Sequence, residues 1–337
     1  MNSRSGRIAW MLAGLSLLGF LMFRSGLART VLDLKRVGGG LILVIAIEFV
    51  VDVFNALGWW FTFPPNLRHG TLRKLFLVKL AGSAVNTTIP TASIGGESAK
   101  VYLLDGDFPL ATVIATILTS GLIFSFSKAG FIVVSMLFTW RRFRLSHDFS
   151  LAVLIGFIVT LAGVLAFLLV QIRGFSGAMS RIVRRLPIPA RWAAHIAKLS
   201  PGVDAEMAAL YRSRTRDLLL AICAHQLAFL CGVMQILLML GWLGLPRSFA
   251  DSLAIEGFAM LLGFVTFVIP GEVGIQEGGK VVIFTALGLP ASAGLAVGIV
   301  FRLTSLAGAA AGLIALAALK GRKRPALALG EAQSAVN

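Results

Sequence analysis

Acidic residues are scarce in this sequence: fifteen Asp and Glu stand against thirty-one Lys and Arg, a formal charge of +16. Charge of either sign is thin, at 14% of residues, whereas 57% are hydrophobic and the mean hydropathy is +0.88. Soluble domains run at roughly 45–50% apolar and about 25% charged, so a soluble fold is excluded. With it goes the nucleic-acid partner that so basic a chain would otherwise suggest. An excess of Lys and Arg on the cytoplasmic side of a membrane protein accounts for the charge. Cysteine is almost absent. Cys223 and Cys231 sit on one expected helix, separated by ~12 Å of rise, too far for a disulfide. The histidines, His69, His147, His195 and His225, are scattered without metal-ligand spacing. The chain also lacks a Walker loop, a nucleophile elbow and any Cys/His pairing. No catalytic residue, metal or cofactor is expected, and the chain is not expected to be an enzyme.

Long apolar runs are what the sequence has instead. Residues 8–23, 41–63, 110–138, 151–170, 218–243 and 293–319 form six blocks. Each approaches or exceeds the ~20 residues needed to cross ~30 Å of hydrocarbon. Arg4 and Arg7 precede the first block, which runs into Arg24 without a small-residue cleavage site. It is therefore expected to stay as an anchor rather than be removed as a signal peptide.

Two polar stretches interrupt this pattern, at 83–100 and 268–280, and each is flanked by apolar residues. Ile89-Pro90 lies over Ile269-Pro270, Glu97 over Glu277 and Lys100 over Lys280, an offset of 180 residues. A later proline, Pro109 or Pro290, opens a long span in each half. The coincidence of all four features indicates an internal duplication, with halves at about 41–138 and 218–319.

The basic residues test the topology. With a cytoplasmic N-terminus and each Gly/Pro stretch read as a hairpin returning to its own side, twenty Lys and Arg face the cytoplasm and eight face outward. The densest stretch, 171–216, becomes a cytoplasmic basic loop, and 320–337 a cytoplasmic tail. Counting either hairpin as a single crossing breaks the bias. The expected fold is thus an all-α integral membrane protein: six transmembrane helices plus two re-entrant helical hairpins in an inverted-repeat arrangement, one domain over 1–337. Inverted repeats with broken helices at the midplane are a design of secondary transporters. Non-helical backbone at that depth needs a cavity or protein around it.

Ionisable residues inside the apolar blocks cost at least ~2.5–3.5 kcal/mol each on insertion scales, so they are paired or functional. Glu48 and Asp52 share a helical face near Asn55, Lys128 interrupts the third block, and Glu256 opens the second hairpin. Glu272, Glu277 and Lys280 occupy its tip, and Arg302 lies inside the last block. For Glu48 and Lys128 the favoured role is helix-to-helix pairing, with Asp52 to Lys128 and Glu277 to Arg302 as example pairs. For Glu97, Glu277 and Arg302 it is substrate binding, because helix N-termini hold anions and a guanidinium grips carboxylate or phosphate bidentately. Asn86, Lys100, Gln276 and Lys280 complete the candidate binding set.

The run Pro270-Gly271-Glu272-Val273-Gly274-Ile275-Gln276-Glu277-Gly278-Gly279 resembles the Pro-Gly-x-x-Gly-x-x-Glu signature of the lysylphosphatidylglycerol synthase transmembrane-region family. Asn86, Ile89-Pro90, Gly95-Gly96-Glu97 and Lys100 resemble that family's other segment, and Arg302 falls where the family often carries an arginine. The resemblance spans roughly residues 8–320. It implies a flippase-like domain that moves lipid between leaflets. The soluble domain that attaches the amino acid in larger members is not expected here, so neither is lysyl transfer. The Gly-Ile-Gln-Glu-Gly-Gly form resembles the hopanoid-associated branch, whereas the Thr-rich first tip, Thr87-Thr88 and Thr91, departs from the usual pattern. The expectation is a lipid translocator without its own ATPase, multi-pass in the bacterial cytoplasmic (inner) membrane. It would carry a polar-headgroup lipid, a hopanoid or a phospholipid, through one cavity between the hairpin tips. Two alternatives stand: a lipid-modifying transferase with Glu277 as base, and a scaffold that docks lipid-synthesis enzymes through its basic loop. The oligomeric state stays open.

Overall fold

The computed structural model describes residues 26–88, 94–139, 190–246, 248–266 and 274–322, with Phe23 and isolated positions between 151 and 177. Ten helices carry the description: α1 Leu27–Val37, α2 Gly40–Thr62, α3 Leu72–Thr88, α4 Ile94–Leu104, α5 Leu110–Thr139, α6 Ala190–Ser213, α7 Thr215–Trp242, α8 Phe249–Thr266, α9 Ile275–Ala286 and α10 Ala291–Arg322. No strand occurs among the described residues. Four helices are long and apolar enough to cross a membrane: α2, α5, α7, and α10 as far as Gly321. These match four of the six expected blocks. The blocks at 8–23 and 151–170 lie largely outside the described residues, as do both hairpin tips, Glu272 and the tail beyond Arg322.

Helix lengths follow the punctuation. Pro109 and Pro290 precede α5 and α10, each offering its carbonyl to the first turn, where a missing N–H costs nothing. Gly106 and Gly288, with φ of 83° and 75°, close α4 and α9 in the left-handed region. That leaves α4 with 11 residues and α9 with 12. At 1.5 Å per residue they rise about 16–18 Å, well short of the ~30 Å hydrocarbon core.

The two helices of each hairpin fold back on one another. The Gly96 N–H donates to Asn86 Oδ1 at 2.7 Å between α3 and α4, and Gly279 sits against Leu262 between α8 and α9. Lys74, in the first turn of α3, pairs with Asp107 just past α4. The first hairpin therefore starts and finishes at the same end of the bundle.

Helix pairings recur between the two halves of the chain. α2 runs antiparallel to α7: Gly40 packs on the Trp242 ring, Gln235 donates to the Val44 carbonyl, Asn55 meets His225, and Arg214 reaches the carbonyls of Phe61 and Phe63. α3 lies along α10, with Gly312 on Leu80 and Ala84. Its counterpart, α8, lies along α5, where Ser135 Oγ donates to the Leu253 carbonyl at 2.6 Å.

The apolar cores repeat as well. One gathers Trp59, Phe63, Leu75, Val78, Leu103, Leu104 and Val113. The other contains Met239, Leu243, Ile255, Phe258, Ile283, Phe284 and Ala293, each 180 residues further on.

The basic stretch 171–216 is not a loop throughout. Over 190–213 it forms α6, whose Val203 and Met207 pack on Ala115 of α5, while Glu206 accepts a hydrogen bond from Thr112. Alternating small apolar and polar residues at helical spacing build that face, despite the internal Pro201.

Candidate functional site

The polar residues expected in one cavity fall into two that adjoin. The first, about 440 Å³, lies among α2, α5, α7, α8, α9 and α10, and collects Glu48, Lys128, Glu256, Gln276, Glu277, Lys280 and Arg302. The second, about 540 Å³, lies among α2, α3, α4, α5 and α7, and takes Lys79, Ser83, Glu97, Lys100, Trp59 and His225. Asn55 and Phe124 line both. A third hollow, about 490 Å³, opens between α5, α7 and α8 and is walled by Phe131, Phe138, Phe249 and Leu253.

In the first cavity three acidic side chains face three basic ones, so the formal charges balance. Glu277 is the fixed point. Its Oε1 accepts from Arg302 Nε at 2.8 Å, and Oε2 accepts from the Gly274 N–H at 2.8 Å and from an Arg302 terminal nitrogen at 3.3 Å. The carboxylate thereby caps the N-terminus of α9 while gripping α10. Its side chain is 2% exposed against 28% for Arg302, so the guanidinium is the partner that faces the cavity. Lys280 is buried and sets its ammonium 4.5 Å from the Phe301 ring, a cation–π contact that offsets part of its desolvation. Glu48 accepts from Gln235 of α7 at 3.1 Å.

Around the second cavity the equivalent glutamate behaves differently. Glu97 pairs with Lys100 on its own helix at 2.8 Å and keeps 43% exposure. Among the described residues no arginine lines this cavity, and Glu97 turns to the ammonium on its own helix. Lys100 also lies 5.5 Å from the Trp59 ring.

Three expectations change. Asp52 pairs with Lys79 of α3 rather than with Lys128, because both carboxylate and lysine lie on the α2–α3 contact. Asn86 lines neither cavity and instead ties α3 to α4. Arg302 is already held bidentately, so an incoming anion must compete with Glu277. Phe124 has no signal in the sequence, His225 enters it only as one of four scattered histidines, and Lys79 joins them at the second cavity. His225 Nδ1 lies 2.9 Å from Asn55 Oδ1. A neutral polar residue at a buried register of an apolar helix was the signal available for it. The pairing of Gly294 and Gly298 is within the chain: both glycines face α9, Gly298 against the Glu277 backbone, the close approach that small-residue spacing permits.

Comparison with protein-family models finds a match to the model described as lysylphosphatidylglycerol synthase TM region, over residues 8–312. Comparisons with curated proteins and with solved structures give no match.

Proposed function

The chain belongs to the lysylphosphatidylglycerol synthase transmembrane-region family, and from that membership we propose that this multi-pass membrane protein is a lipid translocator without an ATPase of its own. One observation carries the proposal. Two polar cavities lie end to end among helices long enough to cross a bilayer, and the first holds equal numbers of acidic and basic side chains. Such a cavity replaces the hydration of a headgroup bearing both charges, or of a neutral polar one, at no net charge. A single ion of either sign gains less. The apolar hollow between α5, α7 and α8 gives tails a place beside the headgroup path.

The short α4 and α9, the same-end pairing of Lys74 with Asp107 and the antiparallel α2 and α7 favour two re-entrant hairpins in an inverted repeat. On the charge count the protein sits in the bacterial cytoplasmic membrane with both termini inside. The Gly-Ile-Gln-Glu-Gly-Gly run resembles the hopanoid-associated branch, so the polar-headgroup lipid carried is a hopanoid or a phospholipid.

The transferase alternative needs Glu277 as a base, yet both its oxygens already accept hydrogen bonds. The scaffold alternative rests on the basic stretch, of which Arg214 is engaged inside the protein.

Purified protein in vesicles, carrying a headgroup-labelled lipid and probed with a membrane-impermeant quencher, tests the proposal. Arg302→Ala and Glu277→Gln are each expected to return interleaflet movement to the protein-free rate. Wild-type rates in both, with normal folding, would remove the site from the mechanism.

A further inference from the structure

The two cavities share a wall, and the wall is small. Along α2, Glu48 and Val51 face the first cavity, Asn55 faces both and Trp59 faces the second. Along α7, Gln235, Gly232 and Ala228 face the first and His225 the second. Along α5, Lys128 faces the first, Phe124 both, and Gly121 and Ile117 the second. All three helices thus hand over from one cavity to the other at one level, so the cavities are stacked along the helix axes. Phe124 stands at the middle of the 30-residue α5. Asn55 and Phe124 are the residues common to the two linings.

The ring is held from two sides. His225 meets it edge-on with centroids 5.3 Å apart at 81°, and Phe229 does so at 5.6 Å and 63°. His225 is itself fixed. Asn55 contacts its Nδ1, and α2 presents Gly58, where a Cβ would come within 2.6 Å of the imidazole. Only a glycine leaves room for the ring against that backbone. His225 is buried, and its Nε2 has no hydrogen-bond partner among the described residues, so the imidazole is placed by shape rather than by a full set of polar contacts.

On the other side there is room to move. Side chains on a helix lean towards its N-terminus, over the residues three and four positions earlier. For Phe124 these are Gly121 and Ser120, both on the second cavity. A Cβ built at Gly121 meets nothing within 4 Å. The second cavity is thus open beside Gly121, one turn N-terminal to Phe124 on α5.

We infer that Phe124 is a removable partition between the two cavities, clasped by His225 and Phe229, and that it swings over Gly121 to let a headgroup pass. The inference rests on the translocator reading for what passes, but not for the partition itself. Each cavity then opens to one face of the membrane while the ring is in place.

Two cysteines report this directly. With Cys223 and Cys231 replaced by serine, Ser83→Cys probes the second cavity and Ser305→Cys the first, using a charged, membrane-impermeant thiol reagent applied to one face at a time. With Phe124 present, each cysteine is expected to react from one face only, and the two from opposite faces. Adding Phe124→Ala is expected to let each react from both faces. It should also speed lipid movement about tenfold, the size expected when two edge-on ring contacts no longer hold the closed position. Gly121→Leu fills the space beneath the ring and is expected to slow movement by a similar factor while keeping the one-sided labelling. Unchanged sidedness in Phe124→Ala, or both cysteines reacting from the same face in its presence, overturns the partition. Should Phe124→Ala not fold, wild-type movement in Gly121→Leu overturns it instead. A wild-type protein that moves no lipid sinks the translocator proposal and leaves the labelling to decide the partition.

Discussion

Two guanidinium groups, those of Arg68 and Arg214, converge on Asp217 at the start of α7. Both also donate to the last carbonyls of α2: Arg68 to Phe61 and Phe63, Arg214 to Phe61, Thr62 and Phe63. Those carbonyls have no partner within their own helix, so the arginines satisfy the end of α2 while Asp217 balances their charge. The three side chains are only 11–16% exposed. Asp217→Ala leaves two mutually repelling cations in that space, and breaking a buried pair of this kind costs about 3 kcal/mol. A clear fall in melting temperature in detergent is expected. Asp107→Ala is the contrast: its pair with Lys74 keeps 33% and 39% exposure, and a pair so solvated contributes less than ~1 kcal/mol. Equal losses in the two variants would contradict this account. The same chemistry explains which residues of the site were legible in sequence. A charge among apolar residues must find an opposite charge, and Glu277 and Arg302 had few candidates. Asp52 was matched with the wrong lysine because Lys79 sits in a stretch that looks like a flanking segment. Nothing in a one-dimensional pattern places Asn55 beside His225 or selects Phe124 from twenty-four phenylalanines, since their contacts join three different helices.

Helix contacts show where small residues are required and where they are incidental. α9 packs on α10 so closely that a Cβ at Gly298 would come 2.9 Å from the Glu277 Cα. Backbone cannot yield there as a flexible side chain would. Gly298→Ala is expected to push α9 outward, lengthen the Glu277–Arg302 contact and destabilise the protein by about 1–3 kcal/mol, the usual cost of overpacking. On the same helix, a Cβ at Gly308 meets nothing within 4 Å. Gly308→Ala is therefore expected to be neutral or to stabilise by up to ~1 kcal/mol through helix propensity. Thermal melting of both in one detergent decides it: a Gly298→Ala protein as stable as wild type would mean the helices are not held at this distance. The elements themselves were largely readable. Prolines at 109 and 290 and glutamates at 97 and 277 mark the short helices in the sequence, because chain-breaking residues act locally. α6 was not, since its apolar face is set among arginines and reads as charged when taken as a whole.

Symmetry at the scale of the whole molecule joins these details. Two units, α2–α5 and α7–α10, use corresponding positions for their cores and pair their first helices antiparallel. In the inverted-repeat reading a two-fold axis crosses the helices and turns one unit upside down relative to the other. If the axis lies in the membrane plane, connections that correspond in the two units emerge on opposite faces, whereas connections flanking one hairpin emerge together. The residues that report this are exposed: His69 before α3 and Asp107 after α4 in one unit, Pro246 before α8 and Thr285 at the end of α9 in the other. Single cysteines at these four positions, in a protein without Cys223 and Cys231, are expected to separate into two pairs when an impermeant reagent is applied to oriented vesicles. His69→Cys and Asp107→Cys should react from the face that carries the N-terminus, Pro246→Cys and Thr285→Cys from the other. Positions 69 and 107 reacting from opposite faces would mean that the first hairpin crosses the bilayer despite the 11 residues of α4. All four reacting from one face would place the units parallel, and the two stacked cavities would then lose their opposed openings and with them the route from one leaflet to the other.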